Sequence, residues 1–167
     1  GCEAQLPLLR RLGYIPLVKP KGDLANLVSV SYPDTRLSDM ILTSDLEFRL
    51  KRVLTEQRQG KKLREHNLTL RRKLLLVGSP GSGKTMTAEA LAGELNLPLF
   101  TTLYASLMGK YLGETASRLK LIFEAMAITK GVYFFDEFDY SYTGLDLLMV
   151  NGKIIIDEIV PLSPADK

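Results

Sequence analysis

The stretch KLLLVGSPGSGKT, residues 73–85, decides the fold. It opens with the apolar run Lys73–Val77, which predicts a buried strand because it is short and bounded by a glycine-rich turn. The turn GSPGSGKT matches the pattern G-x-x-x-x-G-K-[ST] in full. Apolar residues then recur at helical spacing from Ala88 to Leu95. The sequence therefore predicts a strand, a phosphate-binding loop and a helix in direct succession.

The residue types in this turn each suit the binding of phosphate. Gly81 and Gly83 permit backbone angles that a Cβ atom disfavours, so that backbone N–H groups can converge on phosphate oxygens. The helix begins at the turn, so the positive end of its dipole faces the anion. Lys84 is a candidate catalytic residue that would reach the β- and γ-phosphates, and Thr85 would offer its hydroxyl to Mg²⁺. The nucleotide-binding residues predicted here are Gly78, Ser79, Pro80, Gly81, Ser82, Gly83, Lys84, Thr85 and Met86.

A second apolar strand ends in two carboxylates. The stretch GVYFFDE, residues 131–137, predicts a buried strand at Val132–Phe135 that is followed by Asp136 and Glu137. Ligands of parallel α/β sheets bind at the carboxyl ends of the strands. We expect Asp136 to hold Mg²⁺, and Glu137 to be the catalytic residue that orients and polarises the attacking water.

A similar run, IIIDE at residues 154–158, ends in Asp157 and Glu158. It follows a predicted hairpin turn and lies outside the alternation of strands and helices. We therefore expect these two carboxylates to end an edge strand and assign the site to Asp136 and Glu137.

The rest of the chain predicts an α/β fold. A capping-box pattern at Ser44 and Glu47 predicts a helix that runs to about Leu63. A strand at 98–102 and a helix over 119–126 complete an alternation that is typical of βαβ units and a parallel sheet.

The tail has a different pattern. Residues 147–150 and 153–156 flank Asn151-Gly152, which favours a type I′ turn and predicts a C-terminal β-hairpin.

Charge is unevenly distributed along the 167 residues, whose net charge is +3. Residues 51–73 hold nine Lys or Arg and two Glu, whereas residues 136–167 hold seven Asp or Glu and two Lys. A basic segment can bind nucleic acid, or it can be the solvated face of a helix. We favour the solvated face and do not expect a nucleic-acid partner.

The single cysteine, Cys2, excludes an internal disulfide framework and a cysteine-based zinc site. No apolar run approaches the roughly 20 residues that span a bilayer, and there is no signal-peptide pattern. We expect a cytoplasmic protein with no membrane partner.

These motifs, in this order, resemble the AAA+ ATPases, in particular the AAA branch of ring-forming, protein-remodelling enzymes. The resemblance extends over residues 37–139 and rests on GSPGSGKT, on VYFFDEFD and on KYLGE at residues 110–114. It implies a P-loop NTPase fold of three layers around a parallel sheet, here an incomplete AAA+ large subdomain. An irregular or helical arm, 1–36, would precede it, and a divergent tail with the hairpin, 140–167, would follow.

The resemblance also implies a function. The cofactors would be ATP and Mg²⁺, and ATP hydrolysis would be coupled to the remodelling of a protein substrate. The partners would be further copies of the chain in a hexameric ring, or full-length relatives.

Two further sites follow from the resemblance alone. Lys110, Tyr111, Leu112 and Gly113 correspond to a loop that faces the pore of the ring, where Tyr111 would grip a polypeptide and Leu112 would support it. The alternative is that Tyr111 packs locally under the next helix. By the same analogy, an adenine pocket would be lined by Asp39, Met40 and Ile41.

The chain departs from the family after Asp139. No strand there ends in the polar residue that positions water in the family, the helical lid domain is missing, and no arginine follows Arg118. An arginine finger, worth roughly 10³–10⁵ in rate, is therefore missing. The family's sheet has one more strand between those of residues 73–77 and 132–135. One expectation is that a hairpin strand, 153–156, fills this gap; the alternative is that the chain is a truncated or interrupted product, weakly active alone.

Two other functions stay open. A small-molecule phosphotransferase would share GSPGSGKT and the following LPLF, but it needs convergent arginines, and Arg118 is the only arginine after Arg72. A non-catalytic module that binds ATP or ADP, and that joins a ring of full-length relatives, is favoured by the missing arginine finger.

Overall fold

The computed structural model describes residues 20–79, 81–107, 112–135, 145–150 and 158–161. The strands in this part of the chain are β1 (Val28–Ser31), β2 (Lys73–Val77), β3 (Leu99–Thr102), β4 (Val132–Phe135), β5 (Leu145–Val150) and β6 (Glu158–Pro161). The helices are α1 (Ser44–Arg58), α2 (Gly60–Glu65), α3 (Lys84–Leu95), α4 (Tyr104–Leu107) and α5 (Leu112–Ile128), and short 3-10 turns lie at Gly22–Asn26 and Leu37–Asp39.

The strands form one sheet in the order β1-β3-β4-β5-β2-β6. β3 pairs with β4 in parallel, and β2 pairs with β6 in parallel. β5 runs antiparallel to both of its neighbours, β4 and β2, which are therefore parallel to each other. The α/β fold class is confirmed, and the sheet is mixed rather than wholly parallel because β1 and β5 run in the opposite direction.

β5 occupies the gap that the sequence analysis left between β2 and β4. Only the nine residues 136–144 connect β4 to β5. A parallel neighbour needs a crossover of about a dozen residues or more, so a connection of this length returns antiparallel. The expectation that residues 153–156 fill this position is therefore wrong. The segment that fills it contains residues 147–150, which were predicted as the first strand of the hairpin.

The second strand of the predicted hairpin, 153–156, lies outside the described residues. The next described strand, β6, pairs with β2 and not with β5. β6 starts at Glu158, which was expected to end an edge strand and in fact begins one.

The hydrophobic core lies on both faces of the sheet, as a three-layer fold requires. All four residues of β4 are buried, because helices cover this central strand on both sides. The first face packs against α1 and α3, and its cluster contains Leu37, Leu46, Leu50, Val53, Leu54, Leu74, Leu76, Ala88, Ala90, Leu91, Ala92, Leu99, Val132 and Phe134. The second face packs against α5 and contains Leu27, Val28, Phe100, Leu107, Ile122, Met126, Tyr133 and Phe135.

Tyr133 ties β4 to the end of α5. Its ring stacks on Phe100 at a centroid distance of 4.5 Å, and its hydroxyl donates to the carbonyl oxygen of Thr129 at 3.1 Å. Burial raises the pKa of Tyr133 to about 12, so the hydroxyl stays protonated and can donate at neutral pH.

The first long helix differs from its prediction at both ends. Its N-cap is Thr43, whose side-chain oxygen accepts from the N–H of Leu46 at 3.4 Å, and Ser44 is the first helical residue. The helix ends at Arg58, and α2 begins at Gly60, which is buried against Leu70. The single helix predicted to reach about Leu63 is therefore two helices.

The part of the predicted arm that the structure describes, residues 20–36, belongs to the fold. It contributes a 3-10 turn that contacts α5 and the edge strand β1, which pairs with β3. Residues 1–19 lie outside the described part. None of the helices in the described ranges is long and apolar enough to cross a bilayer.

Gly93 of α3 supports a prediction about stability. A Cβ atom at this position would lie 2.1 Å from the carbonyl oxygen of Thr35, and the Arg36 guanidinium donates to the carbonyl oxygen of Gly93 itself. Because backbone would have to move, we expect Gly93→Ala to lower the free energy of unfolding by about 1–3 kcal/mol in urea denaturation. The control is Gly113→Ala in α5, where a Cβ would meet nothing within 4 Å. Equal losses in both variants would contradict the packing of residues 33–36 on α3.

Candidate functional site

The loop between β2 and α3 has the backbone geometry of a phosphate cradle. Gly81 has φ +80° and Gly83 has φ +91°, in the left-handed region that favours glycine. A Cβ atom at Gly81 would meet nothing within 4 Å, so its backbone angle, and not crowding, requires glycine there. The N–H of Ser82 donates to the carbonyl oxygen of Ser79 at 3.1 Å and closes a turn. Pro80 lies outside the described residues.

Lys84 spans this loop. Its Nζ donates to the carbonyl oxygen of Gly78 at 2.8 Å and to that of Ser79 at 3.3 Å. The two carbonyls hold an ammonium group beside the glycines, where it places positive charge at the cradle.

Hydrogen bonds of a buried threonine fix the start of α3. The backbone N–H and the hydroxyl of Thr87 both donate to the carbonyl oxygen of Gly83, at 2.8 and 2.9 Å, and Thr87 is fully buried. Thr85 and Met86, in the same turn, are exposed. The helix therefore has a fixed N-terminus directed at the loop, with the hydroxyl-bearing Thr85 on its accessible side.

Ser82 indicates that the loop is suited to a ligand. Its Oγ is buried and has no hydrogen-bond partner among the residues the structure describes. Buried polar atoms are normally paired, so an unpaired hydroxyl in a phosphate-type loop fits a ligand oxygen as its partner.

The residues present also fit Mg²⁺. The ion prefers oxygen ligands and is commonly held by few protein groups together with substrate phosphates. Thr85 offers such an oxygen at the first turn of α3. In the described ranges, no group of three or more His, Cys, Asp or Glu could hold a metal ion by itself.

The three adenine-pocket candidates lie in different environments. Met40 is half-buried, and its Cε lies 3.8 Å from the position that a Cβ of Gly83 would occupy, so it borders the cradle. The Asp39 carboxylate accepts from the N–H of Arg36 at 2.8 Å and stabilises the 3-10 turn. Ile41 is fully exposed. The structure thus brings Met40 to the loop, and the adenine-binding role of all three residues stays a prediction.

The strand that precedes the predicted carboxylates ends at the same edge of the sheet as the cradle. β2 and β4 run in the same direction on either side of β5, which pairs Val77 with Leu145 and Phe135 with Leu147. Asp136 and Glu137, which follow β4 in sequence, lie outside the described residues, and so does Asp157. The backbone of Glu158 pairs with Leu74, near the opposite end of β2 from the loop.

The predicted pore segment is described in part. Lys110 and Tyr111 lie outside the described residues, whereas Leu112 and Gly113 form the first turn of α5. Sequence reasoning assigned no role to Arg118, which contacts the carbonyls at the end of α4. The spacing of Glu114 and Arg118 indicates a helical pair, but no local pattern predicts a contact with another helix.

A loop of this geometry, at the carboxyl end of a buried strand and the start of a helix, is typical of P-loop proteins. Comparison with known proteins then identifies the family. Residues 74–145 match the model of the family "ATPase family associated with various cellular activities (AAA)". The chain therefore contains part of an AAA ATPase domain.

Relatives with AAA ATPase and protease names are similar to this chain. It is 38% identical over 124 residues (74% of this chain, 38% of the relative) to "Uncharacterized AAA family ATPase y4kL" of Sinorhizobium fredii. It is 50% identical over 74 residues (44% and 9%) to "ATPase family gene 2 protein" of Schizosaccharomyces pombe. It is 30% identical over 120 residues (71% and 24%) to "ATP-dependent zinc metalloprotease FtsH 3" of Sphaerobacter thermophilus. The chain spans about two fifths or less of the length of these relatives.

Lys84 is the residue on which nucleotide binding should depend most. We expect Lys84→Ala to weaken ATP binding by about 10- to 150-fold, the range for losing a hydrogen bond to a charged group. Calorimetric titration measures this affinity. The matched control is Lys61→Ala, which removes the same charge from an exposed position on α2. Equal affinity in the wild-type chain and the Lys84 variant would exclude this loop as the nucleotide site.

Proposed function

We propose that the chain binds ATP with Mg²⁺ and hydrolyses it as an AAA-type module that drives the remodelling of protein substrates. The observation that carries this proposal is the cradle itself. Lys84 spans the loop to Gly78, the two glycines have positive φ, and the hydroxyl of Ser82 is buried and unpaired in the described part of the chain. The partial AAA domain supplies the family context.

Each residue of the proposed site has a distinct task. Residues 78–86 form the phosphate site, in which the backbone N–H groups of residues other than Pro80 bind phosphate oxygens, and Lys84 neutralises the charge of the β- and γ-phosphates. Bound Mg²⁺ would supply further charge neutralisation, and Thr85 and Asp136 are the residues that would hold it. Glu137 orients the attacking water and accepts its proton. Asp39, Met40 and Ile41 are proposed to line the adenine site, of which Met40 borders the loop.

The proposed partners are other AAA subunits and a polypeptide substrate. Support comes from relatives named as an AAA family ATPase and as an ATP-dependent metalloprotease. In a hexameric ring, of this chain or with full-length relatives, Lys110, Tyr111, Leu112 and Gly113 would contact the polypeptide. The AAA match argues against the small-molecule phosphotransferase considered from the sequence.

A second candidate function is nucleotide binding without turnover. The observation that favours it is the direction of β5, which lies directly beside the cradle strand and runs antiparallel to it. β5 therefore presents its amino end, not its carboxyl end, at the edge where ligands of α/β sheets bind. On this hypothesis the chain regulates a ring of full-length relatives through its nucleotide state.

Steady-state ATP hydrolysis at several concentrations of the purified chain tests both functions. For the hydrolytic function we expect the rate per subunit to increase with protein concentration, because the proposed active form is an assembly of subunits, and to vanish in Glu137→Gln. Glu137→Gln replaces a carboxylate by an amide of the same shape, so ATP binding should persist and serves as the control for folding. Binding without turnover at any concentration would contradict the hydrolytic proposal and support the regulatory one.

A further inference from the structure

The segment 35–40 contacts α3 near both ends of that helix. In the last turn of α3, a Cβ atom at Gly93 would collide with the carbonyl oxygen of Thr35, so the two backbones lie close together. At the other end, the Cε of Met40 lies 3.8 Å from the position that a Cβ of Gly83 would occupy. The ten residues from Gly83 to Gly93 extend over about 15 Å of helix, and the segment therefore runs along α3 from its last turn to the loop.

Arg36 makes a polar contact between this segment and α3. Its Nη1 donates to the carbonyl oxygen of Gly93. That carbonyl also accepts from the N–H of Asn96 at 3.1 Å, and both bonds can form because a carbonyl oxygen has two lone pairs. A basic side chain is favourable at this position, since the helix dipole is negative at its C-terminus. Arg36 is half-buried, which limits competition from water for the bond.

The residues between these two contacts form a closed turn. The N–H of Arg36 donates to the Asp39 carboxylate at 2.8 Å, and the N–H of Asp39 donates to the carbonyl oxygen of Arg36 at 3.1 Å. The N–H of Met40 donates to the carbonyl oxygen of Leu37 at 3.2 Å. Leu37 is buried in the core cluster on this face of the sheet, and Met40 packs against the same cluster. Because each step of the turn is hydrogen-bonded, the position of Met40 depends on that of Arg36.

Met40 is suited to the apolar part of a nucleotide. Its thioether has no hydrogen to donate, so it offers little to a phosphate oxygen. The sulfur is polarizable and makes favourable contacts with aromatic rings. A nucleotide that is bound at the loop through its phosphates still has its base and ribose free for such a contact. We therefore expect Met40 to contribute to the part of the affinity that depends on the base, and not to the part that depends on the phosphates.

We propose that Arg36 is a positioning residue for nucleotide binding and that it acts through Met40. It contacts no nucleotide itself. By binding Gly93 it holds the segment 35–40 along α3, and so places Met40 beside the loop, where it contacts the base or ribose. This inference rests on the proposed function, because it takes the loop between β2 and α3 as the nucleotide site.

Two ligands separate the contribution of the base from that of the phosphates. ATP and inorganic tripolyphosphate, each with Mg²⁺, share a chain of three phosphates, but tripolyphosphate has no base or ribose. In calorimetric titrations we expect Arg36→Ala to bind ATP about three- to tenfold more weakly, which is less than the loss of a direct contact with a charged group, and to bind tripolyphosphate with unchanged affinity. Arg36→Lys keeps a charged donor and should recover part of the ATP affinity.

The matched control is Arg64→Ala. Arg64 also donates to a glycine carbonyl, that of Gly60 at 3.1 Å, but it lies on α2. We expect this variant to bind both ligands as the wild-type chain does. Arg36→Ala keeps the backbone N–H that donates to Asp39, so the turn should persist, and the midpoint of thermal unfolding checks this. If Arg36→Ala lost affinity for ATP and tripolyphosphate by the same factor, its role would be generally structural and the inference would be wrong.

A double-mutant cycle tests whether Arg36 acts through Met40. We expect Met40→Ala to weaken ATP binding without affecting tripolyphosphate. The double variant should then bind ATP no more weakly than Met40→Ala alone, since Arg36 would be positioning a side chain that is no longer there. Additive losses would overturn the proposed route through Met40.

The outcomes separate this inference from the proposed function. If the wild-type chain binds ATP and this binding depends on Lys84, but Arg36→Ala has unchanged ATP affinity, the role of Arg36 is refuted and the nucleotide site stands. A wild-type chain that binds neither ATP nor tripolyphosphate would overturn the proposed function and this inference together.

Discussion

The hydrogen bond from Lys84 to the carbonyl oxygen of Gly78 is the contact on which the candidate site depends. It links the first residue of α3 to the residue directly after β2, so it holds strand, loop and helix in one unit. Two further constraints make it possible. β2 has Leu74 and Leu76 fully buried, which fixes the strand against α1 and α3. Gly81 and Gly83 accept the left-handed angles that turn the chain back towards the helix. The charge of Lys84 is thereby placed by backbone geometry and not by a flexible side chain alone.

The length of the connection after β4 determines how the sheet around this unit is completed. A strand must lie between β2 and β4, because both are buried and each presents unpaired backbone groups to the gap. Residues 136–144 are too few for a crossover helix, and β5 therefore enters the gap in the antiparallel direction. β5 thereby pairs with the backbone groups of both β2 and β4. Its amino end, rather than a carboxyl end, lies next to the candidate site. In the proposed function, phosphate binding depends on the loop between β2 and α3, whereas hydrolysis also depends on the residues beside that loop.

The sequence predicts correctly those elements whose formation depends on neighbouring residues. The strand Lys73–Val77, the glycine loop, the helix after it and the strand Val132–Phe135 all follow from short patterns, and the structure has them where they were expected. The errors arise where a choice depends on distant residues. Thr43 and Ser44 are adjacent hydroxyl residues that both suit an N-cap, and local spacing favours Ser44, while the fold selects Thr43. The helix break at Gln59 depends on the contact between Gly60 and Leu70. The pairing of β1 with β3, and of β5 with β2, depends on strands that are far away in the sequence. The contact of Met40 with the loop was anticipated only by family analogy, because no local pattern brings residue 40 to residue 83.

α5 contacts both α4, which precedes the predicted pore segment, and β4, which precedes Asp136. At its first turns Arg118 holds the end of α4, and at its end Thr129 accepts the hydrogen bond of Tyr133. Between them, Phe123 lies against Phe135, with ring centroids 6.2 Å apart, and Phe135 is the last residue before Asp136. The end of α4 and the end of β4 therefore both contact α5, the first through Arg118 and the second through Phe135.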